Sequence, residues 1–282
     1  MPRRDALTDD RQYAEFYEEL GQRYPETRLV HGERSLGSRY WATLRELEPF
    51  ARKGIRMMDL GCNDGVYSLP YCQLGGEALG VDISPTLVRR AGLSAKRMGL
   101  PCAFVQADIQ SRILPSIIGE TFDLAICVEV LEHLLDPLQA LRNMRELLNP
   151  GGHLLLTTPT PLSGKEGLGS LSIGYAVEVL AAKKLVEHHV VDTERFPMLH
   201  EFQVKPTLYR HDNFYPLPFK RLVESVGFRC VKFGTVSFLS TAARRFAGRE
   251  GLNLRLELLQ RRVPLLNLFG QTNIGIFVRT SW

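Results

Sequence analysis

The sequence predicts an α/β fold with a mostly parallel sheet and helices on both faces, and three observations carry that expectation. Residues Met57-Met-Asp-Leu-Gly-Cys-Asn-Asp-Gly65 read as an apolar strand, an acid and a glycine-bounded loop. A second acid, Asp82, ends the apolar run Ala78-Leu-Gly-Val81, 21 positions after Gly61. The unbroken run Leu154-Leu-Leu156 lies between breakers, as a strand covered on both faces requires.

Each element follows from local chemistry. Residues 9 to 50 form a helical preamble that starts near Asp9-Asp10 and breaks at Gly21 to Pro25. It resumes as an amphipathic segment from about Ser38 to Phe50. Tyr13, Tyr17, Tyr24, Arg34, Arg39, Tyr40 and Trp41 make it rich in aromatic and basic groups, suited either to a lid or to an outer helix packed on the sheet. In the loop, Gly61 and Gly65 remove side chains where a backbone must come close to a ligand, and Asn63 tolerates positive φ better than other non-glycine residues. Ser84-Pro85 and Asp136-Pro137 each pair a helix cap with a first-turn proline. Leu138, Leu141, Met144 and Leu148 then share a face, and Asn149-Pro-Gly-Gly152 stops the run.

Beyond Thr158 the pattern changes. Pro159, Pro161, Gly164, Gly167 and Gly169 open a loop, and helical spacing returns near Tyr175 to Val186. This excursion is long for an idle connection and starts past a strand's carboxyl end, where open α/β sheets bind ligands. Phe219, Leu222, Val223 and Val226 restore a helix that ends at Gly227, before late strands at Cys230 to Val236 and Asn273 to Thr280. Between those strands, 237–270 carries Arg244, Arg245, Arg249, Arg255, Arg261 and Arg262 among leucines. Such a segment suits a solvated helix face, a membrane surface or a lipid-linked ligand.

Composition narrows the function classes. A hydrophobic share of 44% over 282 residues can fill a sizeable core, and no 18-residue apolar run appears. The opening Met-Pro-Arg-Arg lacks a signal peptide's apolar stretch, so a cytoplasmic location is expected. The formal charge of +4 does not call for a polyanionic partner. The five cysteines, at 62, 72, 102, 127 and 230, show no C-x-x-C spacing and are expected to be reduced packing residues.

An acid placed like Asp82 can accept hydrogen bonds from ribose hydroxyls, so the first half of the chain is built for a nucleotide-type cofactor. The order of blocks resembles that of the class I S-adenosylmethionine-dependent methyltransferases over roughly residues 55 to 160. The blocks are Asp59-Leu-Gly-Cys-Asn-Asp-Gly65, Gly80-Val-Asp82-Ile-Ser84, Gln106-Ala-Asp108-Ile109, Phe122-Asp-Leu-Ala-Ile-Cys-Val-Glu-Val-Leu-Glu-His133 and Leu148-Asn-Pro-Gly-Gly152. The resemblance implies a Rossmann-like, seven-stranded, mostly parallel sheet with an antiparallel edge strand, N-terminal helices and inserted cap segments. Together with the breakers, this divides the chain into a helical lid, 1–50, and a methyltransferase domain, 51–282, with an acceptor-side insertion at 159–213 and the basic one at 237–270. It implies S-adenosyl-L-methionine as donor and S-adenosyl-L-homocysteine as product. It assigns cofactor contacts to Asp59, Gly61, Cys62, Asn63, Gly65, Asp82, Ile83, Asp108, Ile109 and Glu129. A nicotinamide dehydrogenase is the competing reading. Against it, the loop does not complete G-x-G-x-x-G, an acid opens the loop, and no second mononucleotide-binding half follows.

Chemistry is expected where the fourth strand ends. Methyl transfer from an activated sulfonium needs alignment and the removal of one proton. His133 is the candidate base, oriented by Glu132, because imidazole titrates near neutral pH. A rival reading makes Glu129, Glu132 and His133 ligands of a divalent metal, with His200 or His211 completing the set, as the resemblance to ubiquinone-type O-methyltransferases and small-RNA 2′-O-methyltransferases suggests. The expected acceptor is a small molecule, by preference its hydroxyl oxygen. RNA ribose methylation is the alternative, although no basic stripe with interleaved aromatics surrounds the site. A cofactor-binding regulatory protein without turnover is a third reading, since fold does not establish reaction.

Overall fold

The computed structural model describes residues 10–23, 37–161, 185–192, 208–236, 266–268 and 270–281. Nine strands occur among them: β1 Arg56–Leu60, β2 Glu77–Asp82, β3 Cys102–Gln106, β4 Phe122–Val128, β5 Leu148–Pro159, β6 Val186–Asp192, β7 Leu208–Phe214, β8 Phe228–Val236 and β9 Thr272–Arg279. The helices are α1 Asp10–Arg23, α2 Gly37–Leu47, α3 Ser68–Gln73, α4 Pro85–Met98, α5 Leu114–Ile118, α6 Pro137–Leu147 and α7 Pro216–Ser225. A 3-10 turn spans Leu131–His133.

Seven strands form one sheet in the order β3-β2-β1-β4-β5-β9-β8, and β6 pairs with β7 in a separate antiparallel ladder. The first five strands are parallel, with Asp59 opposite Gly80 on one side of β1 and opposite Ile126 on the other. Strand order reverses between β1 and β4, so the loops leaving these two strands open a crevice at the sheet's carboxyl edge. The expected antiparallel edge is formed by the last two strands. β9 runs antiparallel to both β5 and β8, and β8 forms the border. The last strand of the chain thus lies between two earlier ones, a placement local pattern cannot specify.

Two apolar layers sandwich the sheet. Met58, Leu60, Val81, Ala125, Cys127, Leu154 and Leu156 face α6 and α7 through Leu141, Met144, Phe219 and Val223. Met57, Ala78, Leu124, Ile126 and Leu155 face α2 and α3 through Leu47, Tyr71 and Cys72. The alternation along β1, β4 and β5 is the period-two signature of strands buried on both sides. Caps fall where expected: Ser84 Oγ accepts the Leu87 N–H at 3.3 Å, and Asp136 Oδ1 accepts the Gln139 N–H at 2.9 Å. No described helix is long and apolar enough to cross a membrane.

One cysteine expectation fails. Cys72 of α3 and Cys102 at the start of β3 form a disulfide. Their separation of 30 residues carries no local signal; the parallel crossover brings α3 and β3 together. Cys62, Cys127 and Cys230 are free. The helical stretch expected from Tyr175 lies outside the described residues up to 184, and Val186 begins a strand instead. Most of the basic 237–270 segment, with all its named arginines, also lies outside them.

Candidate active site

The loop after β1 is held in a fixed shape by backbone bonds. Gly61 and Cys62 N–H groups both donate to Val81 O, at 2.7 and 3.0 Å, and the Gly65 N–H donates to Cys62 O at 3.0 Å. Gly61 has φ +79° and a side chain there would run into Val130; Asn63 takes φ +53°, the left-handed geometry expected of it. Asp82 ties this loop to the second strand. Its Oδ2 accepts the Asn63 N–H at 2.8 Å and its Oδ1 accepts the Ser84 N–H at 3.0 Å. Burial raises the Asp82 pKa while these backbone donors oppose the shift. Asp59, 1% exposed, accepts the Ser68 hydroxyl at 2.6 Å, and burial pushes its carboxyl up to about 7.

Asp108 lies past β3, with Oδ1 accepting the Gln110 N–H at 3.0 Å. Ile109 is buried, and its carbonyl accepts from Asn143 Nδ2 of α6 at 2.9 Å, fixing the end of this loop. Ile83 is half-buried and packs at the core's margin. The three acids therefore stand in sequence along the carboxyl edge of β1, β2 and β3.

Helix α1 closes that edge. Tyr13 is 5% exposed, and its hydroxyl is held well above its usual pKa by burial, then by the carboxylates of Asp108, Asp82 and Glu132. Glu18 latches α1 onto the start of α4: it accepts the hydroxyls of Ser84 at 2.5 Å and Thr86 at 2.6 Å. Arg90 of α4 donates back to Gly21 O at 3.0 Å and Gln22 O at 3.2 Å. Helix α2 closes the opposite side, where Arg39 pairs with Glu129 at 2.6 Å. Tyr40 lies against Tyr67 with ring centroids 5.4 Å apart.

At the end of β4 the chain places three acid-base groups. Glu129 has φ +55°, uncommon for a side-chain-bearing residue; its N–H donates to Thr157 O and its Oε1 accepts the Thr157 hydroxyl at 3.0 Å. Glu132 is 1% exposed, and burial followed by the charge of Glu129 raises its pKa well above the usual carboxylate range. Glu132 Oε2 is buried without a hydrogen-bond partner among the described residues. His133 Nε2 stands 3.9 Å from Glu132 Oε1, too far for the orienting hydrogen bond expected of that carboxylate. Burial, and next His211, lower the His133 pKa to about 3.

The β6–β7 ladder completes this region from a distant part of the chain. Strand β7 packs against the Leu131–His133 turn, and the His211 ring lies 4.9 Å from that of His133. On the other side of His133 stands Tyr17 of α1, with ring centroids 6.0 Å apart. Donor atoms of Glu132, His133 and His211 lie within 4.8 Å of one another. Of the residues named in the rival metal reading, the structure groups Glu132, His133 and His211, whereas Glu129, at positive φ, bonds Arg39 and Thr157. His200, the other residue named to complete that set, lies outside the described residues. A buried carboxylate oxygen without a partner, beside two imidazoles, fits a divalent cation as donor set.

Sequence reasoning named most of the groove but missed three contributors. Tyr13 appeared only as one aromatic among several, and the Arg39–Glu129 pair spans 90 positions. The third is a His188–Asp212 pair on the ladder, 2.7 Å between Nδ1 and Oδ1. None has a short-range signal.

A family model described as a methyltransferase domain matches residues 33–232. The chain belongs to that methyltransferase-domain family. Among curated relatives, the ubiquinone biosynthesis O-methyltransferase of Cereibacter sphaeroides strain ATCC 17029 is 36% identical over 110 residues, covering 39% of this chain and 43% of that one. The enzyme of the same name from Dinoroseobacter shibae is 31% identical over 150 residues, covering 51% and 58%. The chain therefore spans about half the length of the curated relatives it matches. A solved S-adenosylmethionine-dependent methyltransferase from Mesorhizobium loti aligns with a TM-score of 0.56 at 18% identity, covering 86% of this chain and 99% of that one. Magnesium protoporphyrin IX methyltransferase from Synechocystis PCC 6803, with bound SAH, gives 0.55 at 16%, covering 96% and 100%. A [4+2]-cyclase aligns equally well, at 0.57 and 16% over 98% of both chains, so these likenesses speak to the fold of the methyltransferase domain and not to its reaction.

Proposed function

We propose that this chain transfers the methyl group of S-adenosylmethionine to a hydroxyl oxygen of a small organic acceptor. The observation that carries the reading is that two groups of side chains gather at the carboxyl edge of the parallel strands. The Asp59 loop, Asp82 and Asp108 follow β1, β2 and β3, and the Glu132, His133 and His211 cluster stands where β4 ends. The similarity to ubiquinone biosynthesis O-methyltransferases, which are named for methylating oxygen, supports the acceptor class.

The donor supplies an already activated methyl on a sulfonium centre, so the protein's task is alignment and proton removal. In this reading Asp82 accepts ribose hydroxyls through its remaining lone pairs, and the glycine loop lets backbone approach the amino-acid end. Arg39, paired with Glu129, brings a positive charge to the end of β4. Helix α1, latched by Glu18 and Arg90, acts as a lid that excludes water through Tyr13. Isothermal titration with S-adenosylmethionine and S-adenosylhomocysteine tests the groove, and a mass-shift assay with phenolic acceptors tests the transfer. Absence of heat with both nucleosides ends the proposal.

A second reading concerns a metal, and the partnerless Glu132 Oε2 favours it. Glu132, His133 and His211 would hold a divalent ion, which as a Lewis acid would lower the pKa of a coordinated hydroxyl. The burial that raises the Glu132 pKa means that this carboxyl must release a proton to bind a cation. Metal titration by calorimetry in two buffers of different ionisation heat should therefore reveal proton release. Activity indifferent to chelator rejects this version alone.

A further inference from the structure

The disulfide between Cys72 and Cys102 touches the groups that shape the glycine loop. Helix α3 is only six residues long, and Ser68 and Cys72, four positions apart, lie on one face of it. Ser68 is the residue whose hydroxyl holds Asp59 at 2.6 Å, and its own carbonyl lies 3.4 Å from Cys102 Sγ. One residue on, the Leu69 N–H donates to Gly65 O at 3.0 Å. The other half of the bridge reaches the same loop along β3, where Cys102 and Phe104 share a face. The Phe104 ring packs over Gly80 beside Cys62 Sγ, and its far edge lies 3.4 Å from where a Cβ on Gly65 would stand.

The surroundings provide for both states of the pair. Cys72 Sγ lies 3.6 Å from Pro101 O and Cys102 Sγ 3.4 Å from Ser68 O, so each thiol, once formed, has a carbonyl within reach of its S–H. Cys72 is 4% exposed, whereas Cys102 is half-buried and opens β3, a border strand of the sheet. Exchange with a soluble disulfide therefore has its entry at Cys102, and Cys72 is the shielded partner that resolves it.

We propose that the Cys72–Cys102 pair is an exchange site for a small disulfide of the glutathione class, and that its oxidation state sets the donor affinity of the glycine loop; the second part rests on the S-adenosylmethionine reading. In oxidation the Cys102 thiolate attacks one sulfur of glutathione disulfide and expels a glutathione thiolate. The Cys72 thiolate then attacks the Cys102 sulfur of the mixed disulfide and expels the second. The pair gives up two electrons, glutathione disulfide takes them, and the two cysteine protons end on the two glutathione thiols. Reduction by glutathione reverses each step. Oxidised, the bridge pins α3 to β3 and keeps Ser68 on Asp59. Reduced, α3 is held there by packing and two weak S–H bonds, and the loop loosens.

The test equilibrates the full chain in glutathione buffers from fully reduced to fully oxidised and titrates S-adenosylhomocysteine by calorimetry at each ratio. Oxidised protein should bind about tenfold more tightly than reduced, the factor that corresponds to one net hydrogen bond. Alkylation and mass spectrometry should place the change in affinity at the same glutathione ratio at which the bridge forms. Cys102→Ser, at the half-buried position, and Cys72→Ala should bind at every ratio as reduced wild type does. Their melting temperatures should match reduced wild type, which separates a lost bridge from a misfolded chain. Cys230→Ser, on the opposite border strand, should keep the full response. Absence of the bridge in fully oxidised protein overturns the exchange site. Binding that ignores the glutathione ratio, or a response that survives Cys102→Ser, overturns the control of affinity and leaves donor binding standing. No binding at any ratio sinks the donor reading, and this inference with it.

Discussion

The two ends of the proposed site are built in opposite ways. At the nucleoside end, Asp59, Gly61, Asn63 and Asp82 come from two adjacent parallel strands, and backbone donors lock their carboxylates. At the acceptor end, Glu132 and His133 meet His211 across 78 positions through packing of a separate two-stranded ladder. One end is fixed by hydrogen bonds that belong to the fold itself. The other is an encounter between elements whose side chains contribute chemistry more than framework. Substitutions at the first should therefore disturb folding and nucleoside affinity together, whereas those at the second should change turnover.

The largest expected effect is at Gly61. A side chain there meets Val130 within 2.4 Å of the ideal Cβ position, at a φ of +79°. Left-handed geometry and overpacking together should cost roughly 2 to 4 kcal/mol in Gly61→Ala. Urea unfolding measures this, and a midpoint within error of wild type would show that the loop relaxes freely. His211→Ala, in contrast, should leave the midpoint within about 1 kcal/mol of wild type, because the ring is only partly buried.

Next comes a pH effect confined to the nucleoside end. Burial raises the Asp59 pKa from 3.8 to about 7 in the folded protein. The folded chain then holds a proton that the unfolded chain has released between those values, so stability is full below about pH 4 and declines as pH rises toward 7. At its steepest the loss approaches about 1 kcal/mol per pH unit. Asp59→Asn keeps an acceptor for the Ser68 hydroxyl and removes the titration, so its melting temperature should rise relative to wild type between pH 5 and 8. Parallel melting curves for the two proteins across that range would refute the assignment.

Smaller again is the effect on affinity at Asp82. Asp82→Ala removes the partner of the Asn63 and Ser84 amides and the expected ribose acceptor, and should weaken S-adenosylhomocysteine binding by about 1 to 3 kcal/mol. Calorimetry checks it. The comparison sharpens if His133→Ala binds the same nucleoside with wild-type affinity, since that residue belongs to the other end.

The same contrast explains what the sequence made legible. The acid, glycine loop and second acid occupy two neighbouring strands joined by one crossover, so their spacing along the chain is their geometry in space. Helix caps at Ser84 and Asp136 and the strand of Leu154 to Leu156 are equally local. The position of β9 between β5 and β8, the Cys72–Cys102 disulfide and the Arg39–Glu129 pair depend on tertiary neighbours and left no trace in spacing. Glu129 shows the limit within a single motif. Its place in Glu129-Val-Leu-Glu-His133 suggests a ligand set with Glu132, but one left-handed residue sends the two carboxylates to different partners.

The smallest effect bears on how the two ends communicate. Helix α1 touches both: Tyr13 sits among Asp82 and Asp108, while Tyr17 contacts His133. Its hold on α4 rests on Glu18, which accepts from Ser84 and Thr86, and on Arg90, which donates to the last turn of α1. Glu18→Ala deletes the first set and keeps the second, so it should cost about 1 kcal/mol, the net range for such hydrogen bonds. Because α1 covers the nucleoside end, that cost should appear as a roughly fivefold faster dissociation of S-adenosylhomocysteine with little change in melting temperature. Stopped-flow tyrosine fluorescence reads the dissociation directly. An unchanged rate would mean that α1 packs on the sheet without gating it, and the two ends would then share a sheet edge but no lid.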